Sequence, residues 1–424
     1  MKRGRRGIGA GTVLMLILAA AVTACYAALL PVLWREGDPA VTQQQATVRT
    51  ASGETGTGEI RLTNPQTAAP RETAAPAYTP ALGGRFTLTA GGTVAVEKSV
   101  RQSGYYSAAK KYDFDDLLAM LREHMAGDIT LVTLENLVVP GKSMSTLVVP
   151  PEVMRMLSAG GVNTVALGFP AAWEQGTAGM AGTLDAAEAQ GLRGLGAFTD
   201  EESADPAASI REVGGVRVAL LHFTMNPSSK SKNAIKKDGH ASLYPLTDRA
   251  AADIAAARAA GAQVVVVSVH WGKRDAANPT AAQRTLATEM TAAGADIILG
   301  SGARNVQPVE WITAAGADGT ERKALCAWCL GNLLSESRSN NAVAGMLLNL
   351  TVTVDAAGAV AVDEVTYTPT FIWRFSLDGV TSYRVIAAAG EAPDGLDKDQ
   401  TRARTKAAER VAKKLGDSPV RLAE

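Results

Sequence analysis

The side chain in this 424-residue sequence best placed to do chemistry is His270. It follows five valines and one serine in VVVVSVHWG, residues 264–272. Such a run reads as a strand buried on both faces of a parallel or mixed sheet. Ligands of open α/β sheets gather beyond the carboxyl ends of strands, so an imidazole there is well placed for catalysis or binding. The alternative is a hydrogen-bonded core histidine. Three other histidines exist. His222 ends LLHF and could share the same edge; His124 falls on an expected helix and His240 in a polar segment. Cys326 and Cys329 form C-x-x-C inside the strand-like ALCAWCLGN. Side chains three apart on a strand point to opposite faces, which argues against a disulfide or metal clip and for core packing. NPSSKSKNAIKKDGH, residues 226–240, carries Lys230, Lys232, Lys236 and Lys237. It reads as a loop, either simply solvated or a mobile cationic flap for an anionic chain.

The elements that must position these residues alternate. Strands are expected at 86–90, 129–134, 163–167, 216–222, 264–269 and 296–299. Helices are expected at 112–125 with Asp113 as N-cap, at 151–159, at 179–190, at 248–260 capped by Thr247, and at 280–293. Strand-like stretches at 324–330, 346–354 and 360–367 follow without clear helices. The pattern is alternating β and α, then β-rich. A last helix, 397–415, opens with Asp397 and Gln400 as a capping box, shows a stripe of Ala403, Ala407, Val411 and Leu415, and stops at Gly416. Its other face is basic. It reads as a solvated helix lying on the domain or as a contact for a surface polymer.

Several pieces in order resemble the bacterial CapA family of capsule and poly-γ-glutamate synthesis proteins. They are FTLTAGG at 86–92, DITLVTLE at 128–135, VVVVSVHWG, then Pro279-Thr280, Gln283-Arg284, AGADIILG, VQPVE at 306–310 and CLGNLLS at 329–335. The resemblance runs over residues 85–384. That family is similar to calcineurin-like metallophosphoesterases, so it implies an α/β sandwich of two mixed sheets flanked by helices.

The resemblance also implies a ligand set, and most of it is missing. The aspartate of the family's opening Gly-Asp turn falls on Gly92. Its Asn-Leu-Glu glutamate falls on Glu135, with Thr133 in place of the asparagine. Its Asn-Asn-His turn falls on Phe169, Pro170 and Ala171, and a following aspartate on Glu174. Its His-Trp-Gly is kept as His270, Trp271 and Gly272, but the Glu-Tyr after it falls on Arg274 and Asp275. Its Gly-His-His-Pro-His turn falls on Gly300, Ser301, Gly302, Ala303 and Arg304. Glu135 and His270 are therefore the remnant catalytic candidates, with a rebuilt site of Glu135, His222 and His270 as a further option. The scaffold positions Pro279, Gln283, Gly294, Asp296, Gln307, Pro308, Gly331 and Asn332 match. No metal and no cofactor is expected. Glu135, His270, Trp271, Arg304, Gln307 and Asn332 are the candidate binding residues. Arg304 reads equally as a bidentate anion binder and as an internal partner of Glu135.

Composition bounds the rest. With 42 basic and 42 acidic residues, no net field favours nucleic acid. MKRGRRG is followed by a run without charge at 8–34, long enough to cross a hydrocarbon core of about 30 Å; the positive-inside rule puts residues 1–7 in the cytoplasm. Val22-Thr23-Ala24-Cys25 resembles a lipoprotein signal, but apolar residues continue after it. The expected organisation is a cytoplasmic end and transmembrane helix at 1–35, a disordered Thr/Ala/Pro-rich stalk at 36–82, a CapA-like domain at 83–385 and a tail at 386–424. The expected function is that of a membrane-anchored, single-pass, extracytoplasmic pseudoenzyme. It would act in synthesis or export of a capsule or polyglutamate-like anionic polymer and bind that polymer or capsule-synthesis membrane proteins. The alternative is an active hydrolase or transferase with a rearranged site.

Overall fold

The computed structural model describes residues 83–238, 244–377 and 379–423. The expected membrane helix and stalk, Cys25 and His240 lie outside them. Among the described residues no helix is long and apolar enough to cross a membrane.

The chain opens with β1 (Gly84–Val94), α1 (Lys98–Ser103), the hairpin β2 (Tyr105–Tyr106) and β3 (Lys111–Tyr112), α2 (Asp116–Ala119), β4 (Ile129–Leu134), α3 (Glu152–Ala159) and β5 (Thr164–Ala166). It continues through α4 (Gly176–Glu188), β6 (Arg193–Leu195), β7 (Ile210–Val213), β8 (Val216–Thr224), α5 (Ser229–Asp238), α6 (Ala250–Ala259), β9 (Val264–His270) and α7 (Ala281–Ala293). It closes with β10 (Ile297–Ser301), β11 (Val309–Ala315), β12 (Glu321–Ala327), β13 (Asn332–Leu334), β14 (Ala344–Val354), β15 (Val360–Leu377), β16 (Val380–Ala387), α8 (Lys398–Leu415) and β17 (Arg421–Leu422).

Two mixed sheets carry the fold. The first runs β16-β15-β14-β1-β4-β5-β6, with β13 beside β1 and β17 beside β15; the second runs β11-β12-β10-β9-β8-β7. Phe86, Leu88, Leu131, Leu220, Val266, Ile297 and Met346 pack between the sheets. The outer face of the first sheet is covered by α1 to α4 through Val100, Leu118, Met154 and Leu184, and that of the second by α6 and α7 through Ile254 and Met290. Burial on both faces is why β4, β8 and β9 read as nearly continuous apolar runs. The sandwich expected from the resemblance is therefore present.

Local corrections have local causes. The expected helix at 112–125 is broken into α2 and a 3₁₀ turn, Arg122–His124. Its apolar positions Phe114, Leu117, Leu121 and Met125 are all buried, but Asp113 Oδ1 accepts from Asp115 N at 3.0 Å, closing a turn instead of capping a helix. Thr247 lies inside a 3₁₀ turn, Thr247–Arg249, and makes no cap bond. The lysine-bearing loop is the helix α5 over Ser229–Asp238. Ser228 Oγ accepts from Ser231 N at 3.1 Å, an N-cap that its Ser-x-x-Ser spacing concealed. The capping boxes Thr280/Gln283 and Asp397/Gln400 both form. α8 is no separate tail: Ala407, Val411 and Leu415 are buried among the residues of the inter-sheet core, in the same compact unit as the sheets.

Candidate functional site

β1, β4, β9 and β10 all deliver their carboxyl ends to one edge. Gly92 lies near the end of β1, Glu135 follows β4, His270 ends β9, and Arg304 lies just past β10. Backbone bonds knit the edge: Glu135 N donates to Val94 O at 2.9 Å and Thr93 N to Gly331 O at 2.9 Å.

Here Glu135, His270 and Arg304 meet, joined by a fourth residue, Glu97. The Nε2–H of His270 donates to Glu135 Oε1 at 3.2 Å. Arg304 Nη2 donates to Glu135 Oε2, and Arg304 Nη1 to Glu97 Oε1 at 3.0 Å. Glu97 Oε2 also accepts from Glu336 N at 3.0 Å. All four side chains are largely buried, from 6% exposed at His270 to 18% at Glu97. Burial pushes the Glu135 carboxyl up, but the hydrogen bond and charge of His270, and then Arg304, outweigh it and hold its pKa at about 2. Burial opposes the Arg304 charge, yet Glu135 and Glu97 hold its pKa above the ordinary value. The internal-pair reading of Arg304 is thus the one its contacts follow. One guanidinium faces two carboxylates, so the cluster has no surplus positive charge with which to attract an anion.

The residues do not fit a metal. The carboxylates of Glu135 and Glu97 are saturated by a fixed cation. A Cβ at Gly92 would stand 2.2 Å from Gly331 O, so a ligating side chain has no room. Gly302, at φ +102°, has His270 Cε1 2.8 Å from the place of its Cβ. Positions where the resemblance implies ligands are thus filled by neighbouring backbone and side chains. Among the described residues no group of three or more His, Cys, Asp or Glu side chains is placed to hold a metal ion.

The other candidates lie apart. His222 is buried: its Nε2–H donates to Gly168 O at 2.7 Å and its Nδ1 accepts from Ser268 Oγ at 3.0 Å. Burial, with the nearby His270 charge, holds its pKa down at about 4 despite the Gly168 carbonyl. It is a neutral core imidazole, and the rebuilt Glu135–His222–His270 site is not formed by any bond it makes. Trp271 is buried, stacks on Trp328 with ring centroids 5.3 Å apart, and donates its Nε1–H to Trp328 O. Gln307 Nε2 donates to Ala276 O at 3.0 Å, and Asn332 Nδ2 to Ser335 Oγ and Ala342 O. These three buried side chains hold loops rather than face an opening. Phe169 and Trp173 are core residues, and Glu174 accepts from Ser228 Oγ at 2.8 Å and faces Lys230. His124 is exposed on its 3₁₀ turn. Cys326 and Cys329 are free and buried, as core packing requires, and burial raises both thiols.

Sequence reasoning missed Glu97. Its only signal is an acid directly after a buried strand, in VAVEK, and its partner is 207 residues away.

Comparison with known proteins agrees with the resemblance. The family described as "Bacterial capsule synthesis protein PGA_cap" matches residues 87–337. A curated relative, the PGA biosynthesis protein CapA of Bacillus subtilis (strain 168), is 32% identical over 139 residues, covering 33% of this chain and 36% of the relative. Among solved structures, the NAD nucleotidase (NadN) of Haemophilus influenzae aligns over 80% of this chain and 57% of its own at 10% identity, with a TM-score of 0.39.

Proposed function

Since the chain belongs to the bacterial capsule synthesis protein PGA_cap family, we propose that it acts in the synthesis or export of a polyglutamate-like anionic surface polymer, without metal-dependent catalysis. One observation carries the second half: Arg304 occupies the carboxylates of Glu97 and Glu135 where a metal site would need them free. The first half draws on the name of the B. subtilis relative. Polymer contact is assigned to α5, where Lys230, Lys232, Lys236 and Lys237 are exposed beside the strand-end loop. That helix is tied to the loop by Ser228 N, which donates to Pro170 O at 2.7 Å. MKRGRRG and the uncharged run after it support a single-pass anchor with the folded domain outside the cell.

The test uses the full-length protein. It should bind poly-γ-glutamate with an affinity that falls as salt rises, because exposed charges are screened within about 10 Å at 0.1 M. Lys232→Glu with Lys236→Glu should weaken binding at least tenfold, whereas manganese should neither raise the melting temperature nor elicit phosphodiesterase activity. A manganese-dependent turnover lost in His270→Ala would instead establish the hydrolase with a rearranged site. Protease added to intact cells should release a soluble fragment by cutting within residues 36–82; full protection of the domain refutes the orientation.

A further inference from the structure

We propose that a cavity away from the Arg304 cluster, lined by β6, the 3₁₀ turn Pro206–Ser209 and β8, binds a small organic anion, an acidic headgroup on an apolar body, through Arg193 and Arg211. The cavity measures about 580 Å³, within the range of about 300–1,000 Å³ common for small-molecule sites. Its apolar wall includes Leu195, Phe198, Leu220 and Phe223.

Arg193 is what asks for a ligand. It sits on β6, the last strand of its sheet. Its Nη2 donates to Ser209 O at 2.9 Å and to Ala208 O at 3.3 Å. Its Nη1 is buried and has no hydrogen-bond partner. No carboxylate pairs with it among the described residues. Arg193 as a whole is half-buried, yet one donor of its guanidinium is sealed from water with no acceptor, which buried polar groups seldom are. Arg193 and Arg211 both line this cavity; burial, and then the like charge of Arg211, hold the Arg193 pKa at about 10. An oxyanion between them would relieve both.

Acids also line the cavity, but they are committed or exposed. Asp253 is bonded to Arg249, at 2.6 Å. Asp205 Oδ1 accepts from Ala207 N at 2.8 Å and caps the 3₁₀ turn. Asp185 and Glu188 are exposed on α4. Neither Asp205 nor Asp253 bonds either arginine of the pair. Among the described residues no carboxylate bonds Arg193 or Arg211, so the donors at this end of the cavity are left for the acidic headgroup of a ligand, and the apolar wall favours one that carries carbon.

Calorimetric titration of the full-length protein with three probes decides the matter: 3-phenylpropionate, inorganic phosphate and phenethylamine. We expect 3-phenylpropionate to bind at one site, phosphate to compete weakly, and phenethylamine not to bind. Arg193→Gln should weaken 3-phenylpropionate about tenfold or more, as loss of a charged hydrogen bond does. Because Arg193 also holds Ser209 O, Arg211→Gln is the companion variant; it removes an exposed side chain with no structural bond, and should weaken binding with the melting temperature unchanged. Ala208→Trp, at an exposed position of the wall, should abolish binding. No binding by 3-phenylpropionate, equal binding by phenethylamine, or affinity unchanged in both Arg211→Gln and Ala208→Trp overturns the proposal. Phosphate binding as tightly as 3-phenylpropionate overturns the role of the apolar wall.

Discussion

Arg304 shows how one side chain can change what a strand edge is able to do. It satisfies two buried carboxylates at once, and it does so from φ +57°, a left-handed conformation costly for any residue but glycine. Arg304→Ala removes the cation and leaves Glu97 and Glu135 facing each other, which should cost about 3–5 kcal/mol, the range for breaking one side of a buried pair. Arg304→Gly loses the same bonds but relaxes the backbone, and should be about 1 kcal/mol more stable than Arg304→Ala. Urea midpoints of the two variants test both statements; an alanine variant as stable as the parent would show that the pair contributes nothing. His222 makes a separate prediction. Its pKa falls from 6.5 in the unfolded chain to about 4 in the folded one. The unfolded chain therefore binds the extra proton across that window, and stability must rise with pH there. This contribution is complete above about pH 6.5, is lost as the pH falls through 4, and amounts to about 3 kcal/mol. His222→Gln should flatten the dependence of the unfolding midpoint on pH between 4.5 and 6.5, and an unchanged slope would assign it to another group.

Helices and strands differ in how openly the sequence declares them. β4, β8 and β9 declare themselves because both of their faces are covered, so apolar residues run on without interruption. Thr280 and Asp397 announce α7 and α8 because a capping box is a local signal, complete within four residues. β6 and β7 sit at sheet edges, are three and four residues long, and are mostly half-exposed or exposed, so they carry no pattern to read. β16 is likewise an edge strand. Glu135, His270 and Arg304 could be picked out one by one from the family resemblance, yet Glu97 could not, because only the fold brings it to Arg304. α8 offers a second example of what a helical stripe hides. Beside the expected Ala407, Val411 and Leu415, its buried face includes Arg404, whose guanidinium donates to the carbonyls of Ala387, Ala389, Gly390 and Glu391. Charge made it look like a solvent residue; the carbonyls that close the turn after β16 are what bury it. Arg404→Leu should keep the helix but cost about 2–3 kcal/mol, since hydrogen bonds from a charged donor contribute about 1.5–3 kcal/mol. A leucine variant at least as stable as the parent, by thermal melt, would mean that the carbonyls are equally well served by water.

At the scale of the whole molecule, the two-sheet sandwich was legible through the family resemblance that implied it, and the alternating β and α followed by β-rich sequence suited that arrangement. The strand order within each sheet was not, since nothing local says which strands are neighbours. β1 is the case in point. It pairs with β4 on one side and with β14 on the other, Thr89 opposite Asn349, 260 residues later in the chain. At bacterial and eukaryotic synthesis rates of about 5–20 residues per second, that partner leaves the ribosome about 13–52 s after β1 does. For all that time the amino-terminal strand of the domain has one open border of unpaired backbone N–H and C=O groups, and any nascent chain that ends before residue 344 never closes it. Quality control acting on this protein would therefore meet its weak point at the beginning of the domain, while the cause lies at the end of the message.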